Sequence, residues 1–220
     1  MCGRFALTAT PEKIKAQFEL SELPELIPQY NIAPSLAVLA IVEAGSKPHA
    51  VLFRWGLIPF WAADKKIGNS LNNARAETVT AKPAFRRAFK SRRCLMVMSG
   101  FFEWQDQGGL KQPFYIKNKN EELLAVAGLW ESWQSADGQE VIHSCCLITT
   151  QANSLLDLVH HRMPVILDKE GQNKWLNPKT SIEEALKLLK PCCENELDLY
   201  PVSVKVNSSR YLGFDTINPM

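Results

Sequence analysis

Apolar and polar positions alternate over short stretches through most of the chain, and helical spacing interrupts them in a few places. Thr10-Pro11-Glu12 is a helix start: an N-cap, a proline at the first helical position and an acid in the first turn. Ile14 and Phe18 follow four apart. Val38 to Val42 and Val51 to Trp55 read as strands around a polar turn, Glu43 to His49. Pro83 to Arg93, with Phe85 and Phe89 four apart, predicts a short helix. A dense β region comes next: Leu95 to Met98, Phe101 to Gln105, Pro113 to Lys117, Leu123 to Trp133 and Val141 to Thr150, parted by Gly-, Asp- and Asn-containing turns. Ser154 to Val159 predicts a helix, Met163 to Leu167 a strand, and Asp168 caps a helix through Trp175. Ser181-Ile182-Glu183-Glu184 is a capping box that opens an amphipathic helix to Lys190, and Leu197 to Val206 returns as strand.

This order, with no linker-like composition and no internal repeat, predicts one α+β domain over residues 1–220. Its curved, barrel-like, mainly antiparallel sheet is flanked by short helices. A length of 220 residues supports a sizeable core. The longest apolar runs fall well short of the roughly 18 residues of a membrane span, and no charged-then-apolar leader opens the sequence. A soluble, cytoplasmic protein without a membrane role is therefore expected. Six cysteines include two adjacent pairs, Cys145-Cys146 and Cys192-Cys193, a poor geometry for a disulfide and not the spacing of a zinc site. With four scattered histidines, neither a metal nor another cofactor is expected. Cys94, Cys145 and Cys146 sit in apolar stretches and are expected in the core.

Net charge is only +2, yet residues 82–93 carry Lys82, Arg86, Arg87, Lys90, Arg92 and Arg93 and no acid. Such clustering on a near-neutral body is the footprint of a phosphate-binding surface, and Phe60, Trp61 and Trp104 offer stacking faces for unpaired bases. For any one arginine the alternative is a surface solubiliser.

The second residue carries the sharpest chemistry. If Met1 is removed, Cys2 presents an α-amine titrating near 7.7–8.0 (approximately) beside a thiol near about 8.5. That 1,2-aminothiol condenses with aldehydes to a thiazolidine. If Met1 stays, Cys2 is an ordinary residue. Glu103, between Phe102 and Trp104, also has two placements. A strand glutamate commonly faces solvent, whereas one facing an enclosed cleft has its pKa raised toward neutrality and becomes an acid/base. His160 is either a dipole-favoured cation ending a helix or a site residue.

Six motifs occur in order: Met1-Cys2-Gly3-Arg4-Phe5, Tyr30-Asn31-Ile32-Ala33-Pro34, Arg54-Trp55-Gly56-Leu57-Ile58-Pro59, Asn73-Ala74-Arg75-Ala76-Glu77-Thr78, Gly100-Phe101-Phe102-Glu103-Trp104 and His161-Arg162-Met163-Pro164. Each is weak alone; the ordered set resembles the SRAP family, the SOS response-associated peptidase-like proteins that process abasic DNA. The resemblance spans residues 1 to about 205 and leaves 206–220 as a C-terminal tail. It implies a crosslinking, lyase-type activity on single-stranded DNA containing abasic sites, with Cys2 forming a thiazolidine with the ring-opened sugar. It also implies autoprocessing at Met1, a monomer, and association with the nucleoid when DNA is bound.

By motif position, Asn73 would hydrogen-bond the adduct, Glu103 would be the acid/base, and His160 would sit near the sugar hydroxyl and phosphate. Arg4, Arg75 and Arg162 would contact phosphates and Trp61 would stack near the lesion, with Asn31, Pro34, Phe60 and Trp104 completing the DNA surface. Two departures stand out. His161 occupies a position where the family commonly has an acid, and Phe60-Trp61 stands where some members have two tryptophans. The competing readings are a cysteine peptidase acting through Cys2 and His160, whether on Met1 alone or on other substrates, and a non-catalytic single-strand binding module. The module leaves the Cys2-Gly3-Arg4 terminus unused.

Overall fold

A computed structural model of the chain describes residues 2–45 and 47–220. Five strands close a barrel: β3 (Ala37–Ala44), β4 (Lys47–Trp55), β10 (Val141–Gln151), β9 (Leu124–Gln134) and β6 (Arg93–Met98), the last returning to β3. All neighbours are antiparallel except β4 and β10, which run parallel through Ser144↔Arg54 and Cys145↔Trp55. Beyond β4, the three-residue β5 (Asn73–Arg75) continues along β10, again parallel, and β11 (Arg162–Pro164) pairs antiparallel with its far end. A second, antiparallel sheet runs in the order β12 (Leu197–Pro201), β8 (Leu110–Asn118), β7 (Gly100–Gln107), β1 (Phe5–Leu7) and β2 (Gln29–Ile32). The predicted α+β class with a curved, barrel-like sheet is therefore correct.

The helices form where their caps and apolar spacing place them. In α1 (Pro11–Phe18) the Thr10 hydroxyl accepts from the Lys13 N–H, and Ile14 and Phe18 are the buried side chains. Asp168 caps α4 (Lys169–Leu176), whose Trp175 is fully buried and donates its indole N–H to the Cys94 carbonyl at 2.9 Å. Both halves of the capping box at Ser181 and Glu184 open α5 (Ile182–Lys187). Strand β6 is buried at every position, so its run Cys94-Leu95-Met96-Val97-Met98 is covered on both faces. Cys94, Cys145 and Cys146 lie in the core as expected.

Several boundaries differ from those read in the sequence. The helix predicted over Pro83 to Arg93 is only α2 (Arg86–Ser91), and Arg93 already belongs to β6. Its guanidinium is buried and donates to the carbonyls of Trp175 and Asn177, both at 2.7 Å, satisfying acceptors at the end of α4. The α3 helix covers Ser154–Asp157 and α5 stops short of Lys190. The strand expected over Leu197 to Val206 ends at Pro201. There Ser203 caps a 3-10 turn, Val204–Asn207, by accepting from the Lys205 N–H.

Residues 206–220 do not dangle. Asn31 donates to the carbonyls of Ser208 at 3.0 Å and Tyr211 at 2.7 Å, Thr216 is fully buried and donates to the Tyr30 carbonyl, and Val202 bridges to Pro219.

Candidate functional site

The site grows from the pairing of β1 with β7. Phe5 lies opposite Phe101, Ala6 opposite Gly100, and the Phe102 N–H donates to the Arg4 carbonyl at 2.9 Å. Continued toward the terminus, this antiparallel register lays Cys2 beside the segment that carries Glu103. Cys2 is fully buried, with its thiol 3.8 Å from the Arg4 carbonyl oxygen. Burial, and then the Glu103 carboxylate, push that thiol up, so the thiolate is disfavoured in the resting site. Glu103 itself is only 2% exposed, and burial pushes its carboxyl up to about 7. Of the two placements open in the sequence, the enclosed one is realised: both faces of β7 are covered here, with Phe102 fully buried too. An acid half-ionised near neutrality is suited to move protons in either direction.

Glu103, Trp104 and His160 share a cavity of about 360 Å³ with Lys111 and Asn207. His160 follows α3, with its N–H donating to the Leu156 carbonyl at 2.8 Å. Its ring is half-buried and stacks on His161, centroids 4.4 Å apart and planes 18° apart. The Arg162 N–H donates to Nδ1 at 3.0 Å. With Nδ1 accepting, the neutral ring carries its hydrogen on Nε2. Burial, first of all, pulls its pKa down to about 4, so at neutral pH His160 is an uncharged hydrogen-bonding group.

Asn73 and Arg75 come from β5, held against β10 by Leu147↔Asn73 and Thr149↔Arg75. The Asn73 Oδ1 is enclosed and makes no hydrogen bond among the described residues. An orphaned buried acceptor is costly, and such atoms often mark where a ligand donor binds. Arg75 is exposed. The scaffold behind β5 comes from the Arg54-Trp55-Gly56 motif. The Trp55 indole N–H donates to the Asn72 carbonyl at 3.0 Å, and Arg54 donates to Gly56, Ser35 and Asn69. Gly56 sits at φ +127°, and a Cβ there would meet the Gly68 carbonyl oxygen at 2.4 Å, so only glycine fits.

Three residues read as DNA contacts also make hydrogen bonds within the protein. Arg162 is buried: it forms a two-pronged ion pair with Glu77 and donates to the Thr149 carbonyl at 2.7 Å. Asn31, 1% exposed, accepts from Arg4 at 2.7 Å, and Arg4 also donates to the Val206 carbonyl at 2.9 Å. Pro34 is half-buried in the loop after β2. Phe60 and Trp61 are about half exposed, with the Arg87 guanidinium 3.9 Å from the Phe60 ring centroid. In the basic run, Arg93 is internal and Arg92 pairs with the buried Glu131 at 2.7 Å, which leaves Lys82, Arg86, Arg87 and Lys90 facing outward.

The model of the SOS response associated peptidase family, SRAP, matches residues 1–209. The chain belongs to the SRAP family. Among its SRAP relatives, abasic site processing protein YoqW of Bacillus subtilis is 43% identical over 215 residues, with 96% of each chain covered. Abasic site processing protein HMCES of Xenopus tropicalis is 32% identical, covering 96% of this chain and 76% of its own length. A crystal structure of a protein from Bacteroides thetaiotaomicron superposes over the whole of both chains with a TM-score of 0.87 at 30% identity.

Sequence reasoning missed four residues of this SRAP site. Glu77 and Thr149 hold Arg162, while Lys111 and Asn207 line the cavity. Glu77 lies in the Asn73–Thr78 motif, the one legible signal among them. Lys111 and Asn207 reach the site only through hairpin and chain-end packing. Any removal of Met1 concerns a residue outside the described ones.

Proposed function

We propose that this protein processes abasic sites in single-stranded DNA by capturing the ring-opened sugar covalently on Cys2. The observation that carries this reading is the burial of the Cys2 thiol within electrostatic reach of Glu103, a buried carboxyl pushed up to about 7. With Met1 gone, the α-amine adds to the C1′ aldehyde and the carbinolamine loses water to give an imine. The thiol sulfur then adds to the imine carbon, closing a thiazolidine. Its proton is taken up by Glu103 and returned to the ring nitrogen, and nothing is oxidised or reduced. As an acid, Glu103 protonates the departing hydroxyl; as a base, it takes the thiol proton that burial makes hard to lose. Because Glu103 serves both directions, it also assists ring opening and release. Neutral His160 donates from Nε2 to sugar or phosphate oxygen, and the orphaned Asn73 carbonyl accepts from the adduct.

The activity is lyase-type crosslinking that shields the strand from β-elimination, carried out by a cytoplasmic monomer that joins the nucleoid when it binds DNA. Self-removal of Met1, with the Cys2 thiol as nucleophile, is the peptidase component of the same reading; it is supported by the position of Cys2 at the scissile bond. The reading is supported by the names of the SRAP relatives, abasic site processing proteins from bacteria and vertebrates. Incubation with abasic and intact oligonucleotides, followed by denaturing gels, tests it. An adduct confined to the abasic strand supports capture. Salt-sensitive binding without an adduct indicates a binding module, and Cys2-dependent loss of Met1 without an adduct indicates a peptidase alone.

A further inference from the structure

Trp104 is held in place from the far end of the chain. Its indole N–H donates to the Asn207 Oδ1 at 2.6 Å, and both residues line the cavity that Glu103 and His160 reach. Asn207 ends the turn Val204–Asn207, which is not free to drift. The Val206 side chain is fully buried among Ala6, Phe102, Tyr115 and Val202, with Trp104 packed against this group. Its carbonyl accepts from Arg4, and Asn31 holds the following carbonyls of Ser208 and Tyr211. Arg4 and Asn31 thus lock the chain end onto the segment leading into β1 and onto β2.

We infer that Asn207 is a positioning residue: it fixes the Trp104 ring as a stacking platform for the base next to the captured sugar. This rests on the abasic-strand reading above. An abasic sugar leaves its neighbouring base without a stacking partner on one side, and a fixed indole replaces that partner whatever the base identity. A partly exposed tryptophan free to rotate would have to be ordered on binding; one already bonded through Nε1 is pre-organised. The platform serves the flanking nucleotide and not the sugar chemistry, so its effect should be largest on substrates that carry a neighbouring base.

The test uses Asn207→Leu, Trp104→Phe and the double variant on full-length protein. The probes are an abasic single-stranded oligonucleotide, an intact strand of the same sequence, and 2-deoxyribose 5-phosphate. Phe keeps an aromatic face but has no N–H for Asn207 to hold. Asn207→Leu should slow capture of the abasic strand and weaken intact-strand binding by about two- to tenfold, the range for one lost hydrogen bond. Capture of 2-deoxyribose 5-phosphate, which carries no neighbouring base, should fall less than capture of the abasic strand, and in the Trp104→Phe background Asn207→Leu should cost nothing further. An equal loss on all three probes, an equal loss in both backgrounds, or no loss at all would overturn the assignment. If wild-type protein captured neither aldehyde, the capture reading would fail, and the intact-strand cycle would still decide the role of Asn207.

Discussion

Arg162 and Glu77 form a two-pronged ion pair that joins β11 to the turn following β5, with Arg162 also donating to Thr149 on β10 between them. Two separate sequence motifs are thereby joined in one internal clasp. Arg162→Ala should act on stability. Removing a buried guanidinium with several charged hydrogen bonds costs about 1–3 kcal/mol, toward the lower end because Glu77 is half exposed. Thermal unfolding should show Tm lower by several degrees, with the salt dependence of strand binding unchanged.

Arg75, directly opposite Thr149 of that clasp in the β5–β10 ladder, is exposed. Arg75→Ala should leave Tm within a degree or so (approximately) and weaken intact and abasic strands alike, since a phosphate contact carries no lesion information. The salt slope of single-strand binding should fall by about 0.7. A loss confined to abasic strands would mean that Arg75 reads the sugar.

Glu103→Gln keeps the shape of the side chain and removes its proton. Crosslinking and release should both slow, by at most about 100-fold because aminothiol condensation is already fast unassisted. Strand affinity should stay near wild type. The wild-type rate should change course near pH 7, where the buried carboxyl titrates, and the variant should lack that inflection. Identical pH profiles for the two proteins would remove Glu103 from the chemistry.

The same group makes stability depend on pH. Its folded pKa of about 7 lies above the roughly 4.3 of a free glutamate, so the neutral form is the one the fold favours. The stability tied to Glu103 is full below about pH 4.3 and is lost as pH rises through 7, with about 3–4 kcal/mol as the upper bound. Glu103→Gln cannot ionise. Its Tm should match wild type near pH 4 and exceed it at pH 8, and the opposite ordering would show Glu103 to be stabilised as a carboxylate.

Legibility in the sequence followed the range of the interactions. The caps at Thr10, Asp168 and Ser181 depend on neighbours within a few residues, and the sequence places them well, whereas the turn read over Glu43 to His49 is mostly strand, because β3 runs to Ala44 and β4 starts at Lys47. Strands β1, β2 and β5 have three or four residues, too few to show a period, and exist only because longer strands pair with them. The burial of Glu103 was undecidable locally, because alternation separates the faces of a strand without saying which face is covered. Arginines show how much of a side chain's surroundings lies outside the local sequence. Arg162, Arg93 and Arg4 look like phosphate ligands in composition, yet they donate to acceptors 13 to 202 positions away. Asn207 was invisible for the same reason, since a chain end folded back over β1 and β7 leaves no local pattern.

Cys2 as an aminothiol that closes a thiazolidine is the centre of the account, and intact mass of the abasic-strand adduct tests it most directly. Wild-type protein lacking Met1 should give a heat-stable species whose mass is protein plus oligonucleotide minus one water. Cys2→Ser, and protein that retains Met1, should give no such species, because serine is too weak a nucleophile to close the ring and a peptide-bound nitrogen cannot form the imine. The same heat-stable adduct from Met1-bearing protein, or an adduct with no water lost, would contradict the account and replace it with a simple thiol or lysine linkage.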